Sequence, residues 1–347
     1  MNKHRLFLIR VSVVSVLCLL LSLGASVILE PKFYNDKAIA TTVTFRSFYA
    51  MQKDTVDVLF AGSSHAVCGY SPQYLYDHFG IRSFNLGSDE QNMIITYYWL
   101  KEALKYQKPS AVVLDTVICF DLDIAENNIN EPSVRKAIDP MRLSLNKINA
   151  VNDFVRINPA ESKLSYYIPA LRFHERWKNL EYYDLHFFEK QSYDMKGYSL
   201  LTNKTEPFEY HPFTVETDEQ STMVPLMKEY LNRITELCSD HGIKLILVKT
   251  PCYQASYAKY NTLRQYADEN GLDYYDYNLK ELYDLINFDF SEDMSDPGHA
   301  NVYGAEKLTE HIGQILSGTI PAVEDSQWIL SRDYYCQKKE QKPQKDN

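Results

Sequence analysis

Residues 56–65 read VDVLFAGSSH. An apolar run of this length that stops at Gly62-Ser63-Ser64-His65 is a buried strand running into a small-residue turn. Ser71-Pro72 then reads as a helix N-cap with proline in the first turn, so the unit is strand, corner, helix. Open α/β sheets bind ligands outside the carboxyl ends of their strands, and a Gly-x-Ser corner lifts a hydroxyl to that edge. Ser64 is the candidate nucleophile. Its competing role is to cap the following helix, a task Ser63 can equally perform.

The same rhythm continues along the chain. The helix over 71–79 ends at Gly80. Residues 81–86 make a short second strand that closes at Asn85-Leu86-Gly87-Ser88, with a helix over 90–106 behind it. Lys108-Pro109 introduces a third buried strand at 111–116, AVVLDT. Later come a helix over 223–238, a strand at 243–248, a helix over 256–269, a weaker strand at 272–277 and a last helix over 302–316. Strands and helices alternating at these lengths predict right-handed crossovers and an α/β fold: three layers, α/β/α, around a five-stranded parallel sheet.

Residues 118–215 break the rhythm and are rich in Asn, Asp, Pro and aromatics. They read as an inserted cap of short helices and loops over the sheet edge. Within it His174, Arg176 and Trp177, and also Lys196-Gly197-Tyr198, are candidate contacts to a sugar, a phosphate or an acyl donor. Surface ion pairs and aromatic packing are the competing fates. Asn203-Lys204-Thr205 has the form of a glycosylation acceptor. The expected organisation is a tail and anchor at 1–30, a stalk at 31–54, the α/β domain at 55–318 with its insertion at 118–215, and a polar tail at 319–347.

Residues 11–29, VSVVSVLCLLLSLGASVIL, carry no charge and are long enough to cross a hydrocarbon core as a helix. Lys3, Arg5 and Arg10 precede them and hold the short tail in the cytoplasm, which leaves the main domain outside. The alternative is a cleaved signal peptide, with small residues at Gly24-Ala25-Ser26. The apolar stretch is longer than the usual signal core of about 7 to 15 residues, which favours a single-pass anchor in the cell membrane. Either way the main domain is extracytoplasmic.

The chain has 347 residues, 45% of them hydrophobic, and a formal net charge of −10. It lacks the basic footprint of a nucleic-acid binder. Its six cysteines are scattered with no C-x-x-C pair, against a zinc site or a dense disulfide framework. Its 27 tyrosines suit an aromatic-lined binding surface, and equally core and rim packing.

A nucleophilic serine needs a base, and Asp296-Pro297-Gly298-His299 supplies one: on a tight Pro-Gly loop the carboxylate can bond one imidazole nitrogen while the other faces a strand end. Capping the last helix is the competing role for Asp296. His65 is a rival base, but adjacent side chains usually diverge, so it reads as an edge residue in contact with substrate. Glu292, Asp293, Asp296 and His299 form an alternative metal cluster, although no second histidine stands at a ligand spacing; no metal and no cofactor are expected.

Gly62-Ser63-Ser64 near the start, Asn85-Leu86-Gly87 in the second block and the segment 296–305, DPGHANVYGA, together resemble the SGNH (GDSL-like) hydrolase superfamily. The resemblance covers 56–316 as a pattern of elements, with the insertion unmatched. It implies a Ser64, His299, Asp296 triad and an oxyanion hole built from backbone N–H groups of Ser64 and Gly87. Gly87 has an alternative role as the strand-to-helix turn. The third block departs from the family: Leu114-Asp115-Thr116-Val117 stands where an Asn side chain is the further oxyanion donor. The hole then rests on backbone alone or recruits Thr116 or Asn92; losing one donor typically costs about 100-fold to 1,000-fold in rate.

The Gly-Ser-Ser form together with the anchor is similar to the cell-envelope acylation branch of the superfamily, the D-alanyl-lipoteichoic-acid transfer and alginate O-acetylation proteins. That resemblance implies a membrane-bound O-acyltransferase as partner and a polysaccharide or polyol as acceptor. The expected function is a serine-dependent O-acyltransferase. A carbohydrate esterase and a non-catalytic polysaccharide assembly protein are the alternatives.

Overall fold

The computed structural model describes residues 3–31, 42–120, 131–159, 162–186, 195–205, 216–253 and 255–340. In chain order its helices and strands are α1 Lys3–Leu29, α2 Thr42–Ala50, β1 Val58–Gly62, α3 Ser64–Gly69, α4 Pro72–Phe79, β2 Ser83–Gly87, α5 Met93–Ala103, β3 Ala111–Asp115, α6 Glu131–Ile138, α7 Leu145–Ile157, α8 Ala170–Phe173 and α9 Tyr182–Leu185. They continue with α10 Pro225–Asp240, β4 Lys244–Lys249, α11 Tyr257–Asn270, β5 Asp273–Asp276, α12 Lys280–Leu285, β6 Met294–Asp296, β7 His299–Ala300, α13 Val302–Ser317 and α14 Ser326–Glu340. The chain divides into two compact units, Met1–Tyr34 with Val151–Ser192, and Asn35–Ala150 with Tyr193–Asn347.

The larger unit holds a five-stranded sheet in the order β2-β1-β3-β4-β5, every pair parallel. Every residue of β1, β2 and β3 is buried, as expected of strands covered on both faces. Val58 and Phe60 of β1, Val113 of β3 and Ile246 and Val248 of β4 share one core with Leu308, Ile312 and Leu316 of α13. The alternate residues Leu59, Val112 and Leu247 point to the opposite face. The chain runs one way from β1 to β2 and then crosses back past β1 to β3. That reversal makes the β1/β3 edge the topological switch point, where such sheets bind ligands.

Local signals explain the joints. Ser71 accepts the N–H of Tyr74, Pro72 fills the first turn of α4, and Gly80 ends it in the left-handed region at φ +64°. The outer edge of β2 is covered: Asn85 N–H donates to the carbonyl of Lys196 at 2.9 Å, and Lys196 and Tyr198 are buried. Lys196-Gly197-Tyr198 therefore closes a sheet edge that would otherwise offer unpaired backbone, in place of the ligand contact expected from its sequence.

Three boundaries also differ from expectation. Residues 31–54 are more than a stalk: α2 buries Phe45 and Phe48 completely, with Phe45 stacked on Trp99 at 4.2 Å between ring centroids and Phe48 edge-on to Phe84 at 5.3 Å. Residues 319–347 are more than a polar tail, because α14 buries Trp328 and Tyr335, and the Tyr335 hydroxyl donates to Glu306 at 2.7 Å. The insertion 118–215 is shared between the two units. Its α6 belongs to the larger one, where the Trp99 indole N–H donates to the carbonyl of Ala137 at 2.9 Å, and residues 151–186 belong to the smaller.

Replacing Trp328 with Ala should lower the unfolding free energy by about 3–5 kcal/mol in urea titrations, the cost of emptying a large aromatic site. A solvated tail would leave the midpoint unmoved.

Candidate active site

The corner after β1 is built by backbone that tolerates no side chains. Gly62 has φ +143°, and a Cβ there would lie 3.0 Å from the Cβ of Asp115. Gly87 stands opposite Gly62 in register, and a Cβ on it would come within 2.5 Å of the Gly62 carbonyl oxygen. Gly87 is thus required for the close approach of the two strand ends. Ser63 occupies the N-cap position of α3 without making a side-chain capping bond, which leaves Ser64 as the first helical residue. The N–H of a first helical residue has no partner within its helix.

Asp296 and His299 face each other across the β6–β7 hairpin, with Pro297 and Gly298 as its turn. His299 Nε2 lies 2.8 Å from Ser64 Oγ, and its Nδ1 lies 2.9 Å from both carboxylate oxygens of Asp296. The N–H groups of Gly298 and His299 also donate to Asp296 Oδ1, at 2.8 and 3.0 Å. Burial works against the Asp296 charge, but the hydrogen bond and charge of His299 and these two N–H groups outweigh it and hold the carboxyl below its ordinary range. An ionised Asp296 is an acceptor only, so Nδ1 carries the imidazole proton and Nε2 is left to accept from the Ser64 hydroxyl.

Further bonds hold the hairpin. Tyr253 N–H donates to the Pro297 carbonyl at 3.0 Å. Asn301 caps α13 by accepting from Tyr303 and Gly304 N–H, and its amide donates to the carbonyls of Glu292, at 2.7 Å, and Met294, at 3.3 Å. Asn301 thus takes the capping role that competed for Asp296.

His65 is not bonded to the serine. Its ring lies 5.1 Å from that of His299, and its Nδ1 is 3.3 Å from the Thr250 hydroxyl. Thr250 in turn donates from Oγ1, at 3.1 Å, and from its N–H, at 3.2 Å, to Asp115 Oδ2, while Val117 N–H donates to Oδ1 at 3.0 Å. Burial, helped by the charges of His299 and Lys249, pushes His65 down to about 3, and burial pushes Asp115 up to about 6 against the hydrogen bonds it accepts. The imidazole of His65 is therefore neutral at physiological pH. Sequence reasoning missed this Asp115–Thr250–His65 chain. Its signal was Asp115 and Thr250 at the carboxyl ends of adjacent strands β3 and β4, one of them inside the block read only as a lost Asn.

The remaining expected residues fall elsewhere. Thr116 is fully buried and donates its hydroxyl proton to the carbonyl of Val248 at 2.9 Å, so it has none to offer an oxyanion. Asn92 caps α5 by accepting from Ile95 N–H at 3.1 Å. His174, Arg176 and Trp177 lie in the smaller unit. There the Arg176 guanidinium pairs with Asp184 at 2.7 Å and donates to the carbonyl of Leu29 at 2.7 Å. Asp293 pairs with Lys307 at 2.6 Å and Glu292 pairs with Lys204; among the described residues no group of three or more His, Cys, Asp or Glu could hold a metal.

No protein-family model matches the chain, and no curated protein does. Solved structures similar to it include a protein assigned to the lipolytic G-D-S-L family from Desulfitobacterium hafniense DCB-2, with TM-score 0.37, 12% identity, and coverage of 75% of this chain and 98% of that one. Another is a protein assigned as an acylhydrolase from Bacteroides fragilis NCTC 9343, with TM-score 0.36, 13% identity, and coverage of 84% and 99%. A third is a gut microbial diltiazem-metabolizing enzyme, with TM-score 0.28, 13% identity, and coverage of 77% and 48%.

The imidazole of His65 makes stability depend on pH. Unfolded, His65 takes up a proton below about 6.5, whereas folded it stays neutral down to about 3, so its contribution is complete above 6.5 and is lost as pH falls toward 3. Asp115 opposes this between about 6 and 3.8, because its folded form binds the proton first. Comparing wild type with His65→Gln in urea titrations isolates the first effect. The stability difference between the two should shift against wild type by up to about 1.4 kcal/mol for each unit the pH falls below 6.5.

Proposed function

We propose that this chain is an extracytoplasmic, serine-dependent O-acyltransferase that moves an acetyl or similar acyl group onto a cell-envelope or extracellular polysaccharide. The observation that carries the chemistry is the 2.8 Å contact between Ser64 Oγ and His299 Nε2, with Asp296 on the opposite ring nitrogen. In this reading His299 takes the Ser64 proton as Oγ attacks an ester or thioester carbonyl, and Asp296 steadies the imidazolium. Backbone N–H groups of Ser64 and Gly87 receive the oxyanion. His299 returns the proton to the leaving group. A sugar hydroxyl then attacks the acyl-serine, loses its proton to His299 and leaves as the ester, with Ser64 restored. In the same reading neutral His65, beside the nucleophile, contacts substrate.

The resemblance to SGNH acylation proteins and the long apolar α1 support transfer over simple hydrolysis. α1 has a mean hydropathy of 2.6 over its most apolar stretch, which is not buried in the protein, so its length and composition suit a membrane crossing. A chain held at the outer membrane surface has no means of its own to bring an acyl group across the bilayer. A membrane-bound O-acyltransferase is the partner this reading requires. A carbohydrate esterase uses the same residues with water as the acceptor.

The test is acyl release from a small acetyl ester, with and without a glycan acceptor, followed by analysis of the acceptor. Ester formed on the acceptor supports the transferase, and full-rate release without it supports the esterase. Ser64→Ala should abolish fluorophosphonate labelling and lower turnover by about 10⁶-fold. Asp296→Asn should keep the fold and lower turnover by about 10⁴-fold, through the wrong imidazole tautomer. Labelling that survives Ser64→Ala overturns the proposal.

A further inference from the structure

The smaller unit ties α1 to the short elements between residues 162 and 186, and that contact sets their depth relative to a membrane. The uncharged segment 11–29 spans about 28 Å as a helix, close to the roughly 30 Å of a hydrocarbon core. Leu29 then stands at the outer boundary, and Ser26 lies about 4.5 Å inside it. Ser26, the buried residue of α1, accepts the N–H of Ala170 at 3.0 Å, so α8 starts at the level of that boundary. One turn further on, Arg176 donates to the carbonyl of Leu29 at 2.7 Å, satisfying a carbonyl at the end of α1 with a cation that Asp184 neutralises.

The surface presented around this level is unusual for one facing water. Leu164, Leu171, Trp177, Tyr182 and Leu185 are each more than half exposed. They are interspersed with the exposed charges Lys163, Glu175, Lys178 and Glu181. Apolar side chains mixed with Trp, Tyr and Lys near the end of a membrane-spanning helix are what the boundary between hydrocarbon and headgroups selects.

We propose that residues 162–186 form a collar that beds into the outer-leaflet interface around the end of α1, with Trp177 and Tyr182 at headgroup level. The proposal rests on α1 being a membrane anchor. It commits to lipid as the occupant because the helix that crosses the bilayer also holds these side chains at its edge.

Tryptophan fluorescence tests it in the full chain. The sequence has three tryptophans, and Trp99 and Trp328 are buried in the larger unit, so the difference between wild type and Trp177→Phe isolates the exposed one. The two proteins are reconstituted in phosphatidylcholine vesicles with acyl chains brominated at carbons 6 and 7, brominated at carbons 11 and 12, or unbrominated. The Trp177 component should lose emission in the shallow-brominated vesicles and lose less in the deep-brominated ones. Equal emission in all three vesicles, in a chain that resists alkaline carbonate extraction, overturns the collar and leaves the anchor standing; it is also the result expected if a partner protein covers this surface. Release of the chain by carbonate overturns the anchor and the collar together.

Discussion

Everything at the candidate site depends on two strands ending against each other without side chains. Gly62 and Gly87 meet in register, and the room that a Cβ would fill is taken by backbone. That approach lets the chain turn sharply from β1 into α3, which puts Ser64 at the first helical position with its N–H outside the helix's own ladder. The same narrow corner accommodates Asp115 beneath it. A bulkier residue at either glycine would displace Ser64 and the buried Asp115 carboxylate together.

Around that corner the charges are arranged in two short chains with opposite consequences. Asp296 is half exposed, bonded by two N–H groups and an imidazole, and its carboxyl is held below its ordinary range. Asp115 lies wholly inside the protein and spends its hydrogen-bonding capacity on Thr250 and Val117, with Thr250 linking it to His65. His65, whose ring lies 5.1 Å from that of His299, is held neutral chiefly by burial.

Much of this was legible in the sequence, and the reasons for what was not are physical. Ser64, Asp296 and His299 were legible as candidates because a Gly-x-Ser corner and an Asp-Pro-Gly-His turn stand at opposite ends of one α/β pattern, and the structure brings the three side chains together. Alternating apolar strands and capped helices give the sheet the same way, down to Ser71-Pro72 and Gly80. The helices α2 and α14 were hidden because each contributes only a few core residues, Phe45 and Phe48 in one and Trp328 and Tyr335 in the other, on otherwise polar segments. The roles of Thr116, Arg176 and Lys196 were hidden for a different reason. Their partners, Val248, Asp184 with Leu29, and Asn85, are chosen by tertiary placement, which no spacing along the chain encodes.

Asn301 joins the β6–β7 hairpin to α13. A single amide fastens the turn bearing the imidazole to the start of α13, and α13 is seated on the sheet through Leu308, Ile312 and Leu316. The reach from imidazole to hydroxyl is therefore set by how deeply a long helix settles into the hydrophobic interior. Methyl groups several turns away therefore bear on the separation of the two side chains, and a displacement of about 1 Å is the scale at which positioned groups in general lose about 100-fold in rate.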